Sequence, residues 1–133
     1  LGQKYKDKED LIKSIADIWV KDRIVKEGFD KKVLEREELS STYVGNSVAT
    51  PHTVSNLVIK PKVFIVSLRE KIDWDGELVD IVFVLALDFK RRLDTEFFSR
   101  TLLEISRDEK SLHIIRNSTN KKQIKKVMKR WYE

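Results

Sequence analysis

A chain of 133 residues, 41% hydrophobic and 37% charged, is the size of one compact domain with enough apolar side chains to bury a core. It contains no cysteine, which excludes disulfide scaffolds, thiolate metal clusters and cysteine nucleophiles; with no run of about 18 apolar residues and no apolar stretch behind a basic start, nothing in these residues is expected to span a bilayer or to act as a secretory signal. Lys and Arg number 27 against 22 Asp and Glu, a net charge of +5, and the surplus lies in the terminal segment, where Lys121, Lys122, Lys125, Lys126, Lys129 and Arg130 meet only Glu133.

A single domain over residues 1–133 is therefore expected, soluble and cytoplasmic, and the start at Leu1 rather than methionine fits a segment of a longer protein. The basic run reads as a solvated helix face, with a phosphate or acidic-partner surface as the alternative.

In chain order, Asp7 caps a helix predicted over Lys8 to Lys21, with Glu9 and Asp10 at the positive end of its dipole and Leu11, Ile12, Ile15, Ile18 and Trp19 at helical spacing. A second helix is predicted from about Lys26 to Glu38, apolar at Phe29, Val33 and Leu34 and weakened near its start by Gly28. The Ser40 to Ser47 stretch favours turns and short extended pieces. Strands follow at Val48 to Thr50, at Val63 to Val66 and at Leu78 to Leu87, with Pro51 and Pro61 beside them. The last of these runs is continuously apolar, which predicts a central strand covered on both faces. Beyond Asp88 the helical pattern returns: Asp94 caps a segment with Phe97, Phe98, Leu102, Leu103 and Ile105, another spans Glu109 to Arg116, and Asn120 caps a last one with Ile124, Val127, Met128 and Trp131. Helices at both ends and strands between them imply a three-layer α/β/α sandwich around a mixed sheet of about five strands.

The unusual local arrangement is Val44-Gly45-Asn46-Ser47-Val48-Ala49-Thr50-Pro51-His52, preceded by Arg36 and Glu37. It resembles the signature of the type 2 enzyme IIA domains of the sugar phosphotransferase system, the mannitol and fructose kind. Their pattern is an acidic or amide residue, six positions, an aliphatic, Gly or Ala, two free positions, an aliphatic, Ala, an aliphatic, Pro and the phosphorylated His. Glu37, Val44, Gly45, Val48, Ala49, Pro51 and His52 fit it; Thr50 departs where an aliphatic is usual, and Thr53 departs where Gly, Ala or Cys usually follows. The likeness continues through Ser41 and Thr42, Ile72-x-Trp74 and the strand from Val79 to Ala86, from about Lys8 to Trp131. In detail it is most similar to the IIA-like domain of multidomain transcription activators and antiterminators with phosphotransferase regulatory domains.

The resemblance implies His52 as phosphoacceptor, Arg36 stabilising the phosphoryl group, and the hydroxyls of Ser41, Thr42, Thr50 and Thr53 around it. Implied partners are the histidine-containing phosphocarrier protein or a IIB component, together with upstream regulatory and DNA- or RNA-binding domains; no cofactor is implied. The chemistry agrees: a largely neutral imidazole can attack a phosphoryl group with one nitrogen, provided that the other is held in a hydrogen bond that fixes the tautomer. Gly45 permits close backbone approach and Pro51 stiffens the strand presenting His52. Arg36 has a second reading as an ion-pair partner for acids near Glu37. His113 reads as structural, the three tryptophans as packing, and two distant histidines without further ligands do not make a metal site.

Two functions follow from the family: a regulatory domain switched by phosphorylation, or a transporter IIA passing phosphate to IIB. Direct nucleic-acid binding through Lys121 to Arg130 is a third. Aligned through Asp94-Thr95-Glu96, Phe97 occupies the place of a second histidine in mannitol-type domains, which predicts a drier pocket and slower transfer, as suits a switch.

Overall fold

The computed structural model describes residues 4–54, 56–87 and 92–132. Helix α1 (Lys8–Lys21) has the predicted bounds, and the extended Asp7 accepts from the Asp10 amide at 2.8 Å. Leu11, Ile12, Ile15, Ala16 and Trp19 form its buried face. Helix α2 (Phe29–Leu39) starts later than predicted, because Gly28 at φ 94° stands in the left-handed region and the Lys26 amide donates instead to the Leu57 carbonyl at 2.7 Å.

A five-stranded mixed sheet follows: β1 (Tyr43–Gly45), β2 (Val48–Ala49), β3 (His52–Val54), β4 (Lys62–Trp74) and β5 (Glu77–Leu87). As predicted, β5 is central. It pairs in parallel with β2 (Val48↔Ile81, Ala49↔Val82) and with β3 (His52↔Leu85, Thr53↔Ala86), and antiparallel with β4. β1 joins β2 antiparallel through a turn in which Asn46 and Ser47 both have positive φ, 53° and 62°, as a tight hairpin requires. β1 is one of the short extended pieces expected between Ser40 and Ser47, β2 ends before Thr50, and β3 begins at His52 as a separate strand. β4 is much longer than Val63 to Val66: after a bulge between Ser67 and Ile72 it continues to Trp74 and turns through Asp75-Gly76 into β5.

Helix α3 (Arg92–Ile105) begins before Asp94, which therefore lies inside it rather than capping it; α4 (Glu109–Arg116) has the predicted bounds, and α5 (Lys121–Tyr132) is capped by Asn120, whose Oδ1 accepts from the Gln123 amide at 3.2 Å. The predicted boundary at Asp88 and the start at Leu1 lie outside the described residues. Side chains along β5 alternate between two cores: Val82, Val84 and Ala86 pack with α1 and α2, whereas Ile81, Phe83, Leu85 and Leu87 pack with α3, α4 and α5. The three-layer sandwich is thus built on one doubly covered strand. Trp19 and Trp74 are buried and Trp131 is half-buried, so all three serve packing as read from the sequence. The six basic side chains of α5 are exposed, opposite the buried Ile124 and Val127.

Candidate active site

β2 and β3 are one run of chain along β5, interrupted at Thr50-Pro51. Pro51 has no amide hydrogen to offer the sheet, but its carbonyl accepts from the Leu85 amide at 3.0 Å, so the run keeps its register through the break. The interruption turns the Thr50 carbonyl back toward the ring of His52, the first residue of β3. His52 Nδ1 lies 2.7 Å from that oxygen. A carbonyl can only accept, so the proton sits on Nδ1 and the lone pair on Nε2.

Thr50 is itself held. Its amide and its hydroxyl both donate to the Thr42 carbonyl, at 3.1 and 3.3 Å. Thr42, 4% exposed, donates its amide to Glu37 Oε2 at 3.2 Å and its hydroxyl to Glu37 Oε1. Glu37 is equally buried, and its carboxylate also accepts from Trp74 Nε1 at 3.3 Å. Lys8 Nζ caps the outer side of this group, 5.9 Å over the Trp74 ring and 2.8 Å from Asp75 Oδ1.

His52 opens onto a cavity of about 260 Å³ that Arg36, Ser41, Thr42 and Thr50 line on one side and Ser99, Leu102 and Leu103 of α3 on the other. Arg36 is half-buried, and its described hydrogen bond runs from Nη1 to the Ser40 carbonyl at 2.7 Å, not to a carboxylate, which sets aside the ion-pair reading among the described residues. Of the residues predicted for the site, Arg36, Ser41, Thr42, Thr50 and His52 are brought together. Thr53 is not: it follows His52 on a strand and so faces the opposite side of the sheet, and it is absent from the described lining. The hydroxyl protons of Thr42 and Thr50 are committed to Glu37 and the Thr42 carbonyl, so of the predicted hydroxyl and guanidinium donors Ser41 and Arg36 are left to serve the cavity.

Phe97 does not play its predicted part. Ser99, Leu102 and Leu103 follow the three-and-four spacing of one helical face, whereas Phe97 lies about 200° around the helix from Ser99 and is 57% exposed. The drying of this wall falls to Leu102 and Leu103, so slow transfer does not follow from Phe97. Ser99 and the Glu37–Trp74 bond went unread in the sequence; no local pattern marks either.

Burial pushes the His52 pKa below its ordinary 6.5, and the Arg36 cation adds to this, outweighing the Thr50 bond and the Glu37 charge, which act upward. The nucleophilic, neutral form is therefore the resting form at neutral pH. The expected pH profile of phosphoryl acceptance, measured as a rate constant, is flat above 6.5 and falls below it as the ring takes a second proton. Because the folded pKa is the lower one, the unfolded chain binds more protons between the two values. The contribution of His52 to stability is therefore expected to be complete above 6.5 and to be lost as pH drops through the folded pKa.

His113 is exposed on α4 and lines a separate surface depression beside the Asp80–Arg116 ion pair, whose Nε lies 3.0 Å from both carboxylate oxygens. Among the described residues no group of three or more His, Asp or Glu is placed to hold a metal, and no helix is long and apolar enough to cross a membrane.

Residues 1–131 match the family model of the phosphoenolpyruvate-dependent sugar phosphotransferase system, EIIA 2, and the chain belongs to that family. It is a type 2 IIA domain. Over 107 residues it is 30% identical to the mannitol-specific phosphotransferase enzyme IIA component of Halalkalibacterium halodurans, covering 78% of this chain and 72% of that protein. Over 120 residues it is 24% identical to the transcriptional regulator ManR of Bacillus subtilis, covering 90% of this chain but only 18% of the regulator. Its fold is that of enzyme IIAMTL in the complex with phosphorylated enzyme IIBMTL from Escherichia coli, with a TM-score of 0.84 at 22% identity, covering 97% of this chain and 92% of the other.

Proposed function

We propose that His52 accepts a phosphoryl group on Nε2 and that its phosphorylation state regulates a longer, multidomain transcription regulator of which this domain is a part. The observation that carries the first half is the Nδ1–H bond to the Thr50 carbonyl, which leaves Nε2 as a neutral nucleophile facing a cavity with Arg36 on its wall. In the transfer, the Nε2 lone pair forms the new P–N bond. With the histidine-containing phosphocarrier as donor, the donor's P–N bond breaks and its electron pair returns to that imidazole, while the charge spread over three phosphoryl oxygens is met by Arg36 and Ser41. The donor is the histidine-containing phosphocarrier protein or a IIB component, and the domain works in the cytoplasm. Support for regulation is the match to ManR along 90% of this chain. The second reading, a transporter component handing phosphate to IIB, is favoured by the 30% identity to a mannitol enzyme IIA.

Incubation with phosphoenolpyruvate, enzyme I and the phosphocarrier is expected to add one acid-labile phosphate per chain, located on His52 by mass spectrometry. No label, or label on another residue, would overturn the assignment. The full-length gene product separates the two readings: nucleic-acid-binding and regulatory domains in the same chain support the switch, and rapid transfer onward to a IIB unit with no such domains supports transport.

A further inference from the structure

The site contains a carboxylate that touches nothing that reacts, yet it ends an unbroken run of hydrogen bonds to the nucleophile. Starting at the ring, Nδ1–H is held by the Thr50 carbonyl, Thr50 is held by two donations to the Thr42 carbonyl, and Thr42 is held by two donations to Glu37. Trp74 Nε1 supplies a third donor to the same carboxylate from β4, so α2, the residue before β1, β4 and the β2–β3 break are tied at one point. From this geometry we infer that Glu37 is the positioning residue of the site, acting through Thr42 and Thr50 to hold the carbonyl that selects the Nδ1–H tautomer of His52. The inference rests on His52 being the phosphoryl acceptor, and it adds what keeps that acceptor armed.

Three features make the arrangement more than buried polar packing. The carboxylate presents acceptors alone, and all three groups bonded to it are donors, so no neutral side chain of the same shape satisfies them equally. Thr42 presents its donors to Glu37 and its acceptor to Thr50, so a displacement at one end is transmitted to the other. Thr50 stands where the family's signature usually has an aliphatic, and its hydroxyl adds a bond to the Thr42 carbonyl that an aliphatic cannot make. In this chain the Thr42 carbonyl is therefore held by two donors, the amide and the hydroxyl of Thr50.

Glu37→Gln tests this with almost no change in shape. One Gln oxygen cannot receive all three donors, and its amide hydrogens oppose at least one of them, so Thr42 shifts. ¹⁵N NMR of the imidazole nitrogens is expected to show the Nδ1–H tautomer in the wild type and a substantial Nε2–H fraction in Glu37→Gln. The phosphoryl-transfer rate constant is expected to fall roughly tenfold with the KM for the phosphocarrier unchanged. Thr50→Val, which removes only the hydroxyl from a half-buried side chain, is expected to shift the tautomer in the same direction by a smaller amount, and it decides the matter alone if Glu37→Gln does not fold. Wild-type tautomer ratios in every folded variant, with or without a lower melting temperature, would overturn the positioning role. A wild-type domain that takes no phosphate while its tautomer still responds would overturn the functional reading and leave the orienting role standing.

Discussion

His52→Ala is expected to abolish phosphoryl acceptance, and His113→Ala to leave it at the wild-type level. The chain has two histidines and no cysteine, so only these two side chains are nitrogen or sulfur nucleophiles of the imidazole or thiol kind. Their surroundings differ in the respects that matter. His52 is half-buried, has one nitrogen fixed by a carbonyl and shares its cavity with a guanidinium. His113 is exposed on α4, its Nδ1 lies 3.2 Å from the Asn117 side-chain amide, and it belongs to a different depression. The alanine variant leaves the Thr50 carbonyl without a donor, at a cost of about 1–3 kcal/mol, so a folded but less stable domain is expected. His52→Asn is expected to restore part of that stability and none of the activity. Radiolabel retained by His52→Ala would place the acceptor elsewhere.

Elements with a long, regular pattern were legible before the structure. The bounds of α1 follow from Asp7, two acids and an unbroken apolar spacing, and the central place of β5 follows from an apolar run with no polar interruption. What escaped was set by partners distant in sequence. β3 has three residues, too few to display a period, and exists because β5 offers it an edge. The second half of β4 hides behind Arg69-Glu70-Lys71, exposed residues that the bulge places between the buried Leu68 and Ile72. At the site, His52 is readable because a spaced signature ends on it, and Arg36 because it stands beside Glu37, where that signature begins. The bond from Glu37 to Trp74 is not, since it joins side chains of a helix and a strand 37 residues apart. Thr53 and Phe97 are not on the cavity wall for a simpler reason: neither the next place in a strand nor an alignment through three neighbouring residues decides which face of the element a side chain occupies.

Arg36→Ala is expected to slow phosphoryl transfer by about 10²–10³-fold while costing the fold little. The guanidinium lines the cavity into which His52 opens, and the charge it must meet is largest when the phosphoryl group is between donor and acceptor. In the resting domain its described hydrogen bond ends on the Ser40 carbonyl at the C-terminal end of α2, an interaction with the helix terminus of about 0.5–1 kcal/mol. A loss of stability comparable with a buried leucine truncation, about 2–5 kcal/mol, would instead make Arg36 structural. The charge has a second, independent signature, because the Arg36 cation helps to hold His52 below its ordinary pKa. Arg36→Ala therefore moves the His52 titration toward 6.5, whereas a residue with only a packing role leaves it in place. Arg36→Lys keeps the charge and loses the planar fork, so it is expected to restore the titration more fully than the transfer rate. Equal rescue of both would show that charge alone, without bidentate geometry, is what Arg36 supplies.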